Sequence, residues 1–292
     1  MKKIKNLKKH ISMRRHFSST LRAFKKASGK QVDLPNDFFK GHDQCVVLGN
    51  GPSLKVDIKY VDRESDIIAV NHFSESEYFS DLKPSKYILI DSYFWDNNTH
   101  DSLVKKRDKL FDDLNSLVTW DMQVILPSFA DTQFIESKIT NSKISVKTLK
   151  AISSNVTNIK YGPIALSTGM VAPPAVNVLI FAIYIAILCE YSHIEIVGAD
   201  MSFHNDVQVD QSTNQLYMEY KHFYGENERL PLMENPEKVK PFNMTDLMRL
   251  THLTFYSHQL LNRWAELKGI SIVNYSNSSM IDAYPRKAQD NK

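Results

Sequence analysis

The residues best suited to chemistry stand where short apolar runs break into polar turns. Cys45-Val46-Val47-Leu48 runs straight into Gly49-Asn50-Gly51-Pro52-Ser53, a buried parallel strand delivering its carboxyl end to a tight loop. Two glycines let the backbone come close to a ligand, Asn50 tolerates the left-handed region, and Ser53 can cap the helical turn that follows. The loop therefore offers N–H groups and short polar side chains to an anion or a nucleotide. It is not a P-loop, since no Gly-Lys-Ser/Thr closes it. It is not the dinucleotide fingerprint either, because Leu54 stands where the third glycine belongs. The plain alternative is a strand turn that binds nothing.

Further strand ends repeat the design. Asp66-Ile67-Ile68-Ala69-Val70 ends in Asn71, Lys86-Tyr87-Ile88-Leu89-Ile90 ends in Asp91, and His193-Ile194-Glu195-Ile196-Val197 ends in Gly198-Ala199-Asp200. Residues 270–275 form the last strand, with Asn274, Ser276, Asn277, Ser278 and Ser279 at its end. Any one strand-end Asn or Asp is more often a local turn. Several along one parallel sheet mark the crevice where open α/β sheets bind ligands. Leu166-Ser167-Thr168-Gly169 precedes Pro173-Pro174 and an apolar run to Cys189, which predicts a helix whose free N-terminal N–H groups form an anion site.

The elements that must hold these residues are an α/β core. Residues 99–118 read as a surface helix, and Met122 to Leu126 as a strand stopped by Pro127. Residues 128–157 give only a weak strand signal at 144–149. The apolar stretch 171–189 is long enough to consider as a membrane span, but two prolines open it, no basic flank follows, and a strand comes at once. It is read as a helix buried under the sheet. Residues 201–245 are polar and aromatic, with His204, Tyr217, Tyr220, His222, Phe223 and Tyr224. Their length and composition predict a lid. Residues 245–268 form an amphipathic helix ended by Gly269. The expected domains are an arm at 1–32, a nucleotide-binding core at 33–200, a lid at 201–245 and a closing helix and strand at 246–292.

The chain has 292 residues and a net charge of +3, which hides an asymmetry. Of 36 Lys and Arg, eleven lie in residues 1–30 with no acid among them, so the remainder carries 25 basic against 33 acidic residues, a net of −8. Ile4, Leu7 and Ile11 share one helical face and Phe17, Leu21 and Phe24 another. A lysine-rich amphipathic arm suits an anionic membrane surface, and no nucleic-acid module accompanies it. The alternatives are an arm docked on the acidic body, or disorder. No apolar segment follows the charges as a secretory signal would require. Cys45 and Cys189 sit in apolar runs as buried, reduced thiols, which suits a cytoplasmic protein.

In order, these landmarks resemble the bacterial sialyltransferases of glycosyltransferase family 42 and the wider MptE-like superfamily. The resemblance spans residues 44–283 and is dense at 46–55, 167–170, 197–203 and 274–281. It implies a Rossmann-like, mostly parallel sheet with flanking helices, of the modified GT-A kind, with a small lid insertion. It implies that Gly49 to Ser53 and Asn71 cradle a CMP-linked sugar, and that Ser167-Thr168-Gly169 matches the family's Ser/Thr-Ser-Gly turn. The family's third strand ends in Asn where this chain has Asp91, and an arginine precedes its turn where this chain has Ile164-Ala165. Its general base is a lid histidine and its lid tyrosines bind the donor phosphate, roles that fall on His222, or His204, and on Tyr217, Tyr220 and Tyr224.

The expected protein is an inverting, metal-independent glycosyltransferase with no cofactor beyond its nucleotide-sugar substrate. It would extend a bacterial surface glycan, with a lipid-linked acceptor and a homo-oligomer among its expected partners, at the inner face of the membrane. Two alternatives stand beside it: MptE-like pyrophosphoryl transfer with Mg²⁺ on Asp91 and Asp200, and a non-catalytic nucleotide- or glycan-binding protein.

Overall fold

The computed structural model describes residue 38 and residues 40–149, 152–153, 159, 162–169, 171–174, 176–220, 228–233 and 241–286. The arm at 1–32, His222 and Tyr224 lie outside the described residues.

Seven strands form one parallel sheet: β1 (Gln44–Leu48), β2 (Asp66–Val70), β3 (Lys86–Ile88), β4 (Met122–Pro127), β5 (Ile144–Leu149), β8 (His193–Val197) and β12 (Ser271–Asn274). Their order is β12-β8-β1-β2-β3-β4-β5, so the chain winds outward from β1 on one side and then returns to fill the other. Every pair in this sheet is parallel, which gathers all carboxyl ends on one edge. The α/β, Rossmann-like class expected from the sequence is the one observed.

Both faces of the sheet are covered, which is why its strands read as continuous apolar runs rather than alternating ones. Cys45, Val47, Ile68 and Val70 face one core, and Val46, Leu48, Ile67 and Ala69 face the other. The helices, numbered along the described chain, are α1 (Leu54–Asp57), α2 (Phe79–Leu82), α3 (Asp101–Leu117), α4 (Thr132–Lys138), α5 (Gly162–Leu166), α6 (Val178–Leu188) and α7 (Met244–Lys268). Helix α6 contributes Leu179 to Leu188, all buried, beside Trp264 and Leu260 of α7. A helix apolar all round belongs in a core. No helix among the described residues is long and apolar enough to cross a membrane.

Two small sheets complete the architecture. β6 (Ile152–Ser153) pairs with β7 (Val171–Ala172), and β9 (Val207–Val209), β10 (Leu216–Tyr220) and β11 (Glu228–Pro231) form an antiparallel sheet within the segment read as a lid. Leu216, Met218 and Leu232 of that sheet pack with Leu247 of α7. Cys45 and Cys189 are free and buried, and burial pushes the Cys189 thiol up to about 11. Both are therefore inert, neutral thiols.

Candidate functional site

The carboxyl edge divides into two halves with different character. On the β1, β8 and β12 side the strand-end residues bond to one another. Gly49 N–H donates to Val197 O (2.8 Å), Gly51 N–H to Gly198 O (2.9 Å), and both the N–H and Oγ of Ser53 to Asp200 Oδ2 (3.2 and 2.9 Å). The loop's N–H groups expected to face a ligand are largely spent here. Ser53, expected to cap the following helix, makes no side-chain cap and ties the loop to Asp200 instead.

Packing explains the glycines. A Cβ on Gly51 would collide with Asp200 Oδ2 and lie 2.7 Å from Gly198 O, and one on Gly198 (φ +68°) would lie 2.7 Å from Gly49 O. Gly49 meets Gly198 O in the same way. These glycines let two loops pack against each other. Pro52 is exposed at the apex. Burial raises the Asp200 carboxyl pKa against the two bonds from Ser53, with Asp57 adding to the rise.

At β12, Asn274 is 1% exposed and organises the serine-rich loop: its Nδ2 donates to Ser279 Oγ (3.0 Å) and its Oδ1 accepts from Ser276 N–H (3.0 Å). Ser276 Oγ in turn accepts from Ala199 N–H (2.8 Å), and Asp57 Oδ2 accepts from Asn277 N–H (3.0 Å). Ser278 is exposed. Asn274 is thus a scaffold of the edge rather than a face of the crevice.

The turn at Ser167-Thr168-Gly169 departs from expectation. It closes α5 rather than opening the long helix. Ser167 N–H donates to Pro163 O, Thr168 N–H to Ala165 O and Gly169 N–H to Leu166 O (3.0, 3.3 and 3.0 Å), so these groups are not free for an anion. Ser167 Oγ accepts from Trp264 Nε1 (2.8 Å), and Gly169 adopts φ +66°. Pro173 and Pro174 lie between β7 and the long helix, and α6 begins only at Val178, where Asn177 Oδ1 caps Ile180 N–H (3.1 Å).

The β1, β2 and β3 side is built differently. Asn50 Nδ2 donates to Val70 O (3.0 Å), tying the first loop to the end of β2. Asn71 sits at φ +50°, its N–H on Ile88 O (3.2 Å) and its carbonyl accepting from the Tyr87 hydroxyl. Its Oδ1 is buried without a hydrogen-bond partner among the described residues. Asp91 is exposed, and the protein crowded around its carboxyl raises the pKa by desolvation.

Beside them stand two residues that the sequence reading passed over. His72 follows Asn71 and Tyr93 lies two residues beyond Asp91; His72 Nε2 is 2.8 Å from the Tyr93 hydroxyl and Nδ1 is 3.4 Å from Glu75 Oε1. The signal that could have found them is the same strand-end rule extended by one turn of chain.

The segment read as a lid is described in part. Tyr217 lies in β10 with the Arg229 guanidinium 5.1 Å over its ring, and Tyr220 ends that strand opposite Glu228. His204 lies in the short turn Phe203–Asp206, edge-on to Phe203 and to Phe255 of α7 at 5.7 and 6.2 Å, with Nδ1 buried and unpartnered among the described residues. The structure does not bring Tyr217 and His204 into a shared hydrogen bond. Among the described residues no group of three or more His, Cys, Asp or Glu is arranged to hold a metal ion. Asp91 and Asp200 stand on opposite halves of the edge, and Asp200 is occupied by Ser53.

No family model and no curated protein matches the chain. Solved structures do. A MAf glycosyltransferase from Magnetospirillum magneticum AMB-1 aligns at 10% identity and TM-score 0.49, over 87% of this chain and 34% of its own. The chain thus spans about a third of that protein. An alpha-2,3-sialyltransferase from Campylobacter jejuni, in apo form, aligns at 14% identity and TM-score 0.44, over 87% and 84% of the two chains. The sialyltransferase CstII of the same organism, solved with the substrate analogue cytidine-5'-monophosphate, aligns at 12% identity and TM-score 0.41, over 83% and 84%. At these identities the likeness is one of fold.

Proposed function

We propose that the chain is a glycosyltransferase that takes a nucleotide-activated sugar, CMP-linked, inverts its anomeric centre and needs no metal ion, extending a bacterial surface glycan. The observation that carries this reading is Asn71. Its side-chain amide ends β2 at the crevice edge, its backbone is fixed from two directions, and its Oδ1 is buried without a partner among the described residues. Buried acceptors in folded proteins are nearly always paired, and an exception among the described residues at a strand end suits a donor from a bound ligand. The amine of a cytosine or a ribose hydroxyl is such a donor. Asn50 fixes the neighbouring loop against the same strand end, and Asp91 stands at the next one.

The sequence landmarks shared with the sialyltransferases agree with this assignment. In this reading the basic residues of 1–30 hold the enzyme to an anionic membrane surface, near lipid-linked acceptors, and the segment 201–245 covers the donor.

Thermal unfolding in the presence of CMP, CDP, UDP, GDP and ATP tests the reading. A ligand at 100 times its Kd raises stability by about 2.7 kcal/mol, an easily read rise in Tm. CMP should give the largest rise, and sugar transfer from a CMP-linked donor should persist in excess EDTA. Silence across the panel, or loss of transfer in EDTA, would overturn it.

A further inference from the structure

Three side chains just beyond the ends of β2 and β3 stand in a row: a hydrogen-bonded Tyr93–His72 pair with the Glu75 carboxylate in ion-pair range behind it. Tyr93 Oη lies 2.8 Å from His72 Nε2, and His72 Nδ1 lies 3.4 Å from Glu75 Oε1. The His72 and Glu75 side chains are 12% and 27% exposed, so the row is shielded but reaches the surface at the crevice edge. The Glu75 contact is an ion-pair distance rather than a hydrogen bond, and the carboxylate's charge beside Nδ1 favours a proton there, the tautomer in which Nε2 faces the phenol as acceptor.

The row is held rigidly. The His72 ring stacks at 6.0 Å on Tyr93 with 16° between planes, and Phe94 closes in at 5.5 Å. Arg107, 3% exposed, reaches from α3 to donate to the carbonyls of Tyr93 (3.4 Å) and Asp96 (3.0 Å), fixing the turn that carries the phenol. Side chains locked in this way meet the demand that a general base sit at a fixed place before the substrate arrives.

We propose that Glu75, His72 and Tyr93 accept the proton of the attacking hydroxyl, with Tyr93 as the catalytic residue and His72 and Glu75 as positioning residues behind it. The proposal rests on the glycosyl-transfer reading and assigns the base to this pair in place of the lid histidine, His222 or His204, that the resemblance implies. An acceptor hydroxyl gives its proton to Tyr93 Oη as the phenol gives its own to His72 Nε2, and the imidazolium is balanced by the Glu75 carboxylate. The acceptor oxygen bonds the anomeric carbon while the bond from that carbon to the phosphate oxygen breaks. The electron pair leaves with the nucleotide. The acceptor class is an alcohol, a sugar hydroxyl in the biological reaction and water in its absence.

The experiment measures nucleotide release from CMP-, UDP- and GDP-linked sugars with water as acceptor, using the full chain, Tyr93→Phe and His72→Gln. A glutamine at 72 can still accept the phenol's hydrogen bond but cannot take its proton, so a purely structural role would survive it. General bases contribute about 10² to 10⁴-fold. Both variants should lose about 100-fold or more in kcat with KM and CMP affinity within about twofold. Variants that keep kcat within about threefold of the parent would overturn the relay while leaving glycosyl transfer intact. A parent chain that releases nucleotide from none of the three donors would overturn the reading beneath it.

Discussion

At the amino edge of the parallel sheet, Lys86 and Asp66 are 0% and 4% exposed and are bridged by Tyr191, whose hydroxyl accepts from Lys86 Nζ (2.7 Å) and donates to Asp66 Oδ2 (2.6 Å). The backbone of Gly41 closes the same carboxylate with a bond of 2.9 Å. At the carboxyl edge, Asn71, His72 and Tyr93 keep surface in contact with solvent, and Asn71 keeps an acceptor without a partner among the described residues. Both edges place polar residues where apolar strands stop. One buries them in closed networks, and the other keeps them at the surface of the crevice. A polar strand end is therefore a place where a site can be, and only its bonding shows which kind it is.

The same contrast divides the carboxyl edge itself. Asp200 and Asn274 point into bonds with Ser53 and with the serine-rich loop, so they resemble the amino edge in kind. Substitutions should sort the three regions by what they lose. Lys86→Ala should have the largest effect on stability, because it leaves Asp66 as a buried carboxylate without its cation. Breaking a buried pair in this way costs about 3–5 kcal/mol. Burial already lowers the Lys86 pKa, so the pair depends on its partners and not on solvent. Chemical denaturation should show the loss, with nucleotide affinity unchanged in the fraction that remains folded.

Gly51→Ala should come next, at about 1–3 kcal/mol, since its methyl group must displace Asp200 or the Gly198 carbonyl. Denaturant midpoints measure it, and a change below about 0.5 kcal/mol would mean the two loops are not locked together.

A smaller effect separates a buried histidine from those of the site. His258 is fully buried, with Nδ1 on the Tyr284 hydroxyl (3.0 Å), and burial holds its pKa down at about 3. The folded chain keeps it neutral while the unfolded chain protonates it near pH 6.5. Between about pH 6.5 and 3 the unfolded state binds the extra proton, so His258 costs stability as pH falls, by about 1.4 kcal/mol per unit. Above pH 6.5 it costs none. His258→Gln should flatten the pH dependence of unfolding in that window, read by denaturation at pH 7, 6 and 5.

Much of this was legible in the sequence because burial on both faces writes itself as apolar runs. The ends of β1, β2, β5 and α7 follow the hydrophobic pattern within a residue or two. The start of α6 did not, because Ser167 and Thr168 are good helix starters in sequence while the structure uses them as the end of α5. Two prolines and a capping asparagine decided the boundary instead. The Gly49 loop was read as open to a ligand because glycine has the same signature whether a substrate or a neighbouring loop takes the space. His72 and Tyr93 were passed over because they are 21 residues apart and only the pairing of β2 with β3 brings them together.

The claim that the β1, β2 and β3 end of the sheet is a nucleotide site is tested most directly by calorimetric titration of CMP into the parent chain and into Asn71→Gly. Glycine accepts the positive φ of position 71 and removes only the amide. The account predicts that CMP binds the parent and binds the variant about tenfold more weakly, about 1.4 kcal/mol, with little change in Tm. CMP that binds both chains equally, or neither, would contradict it.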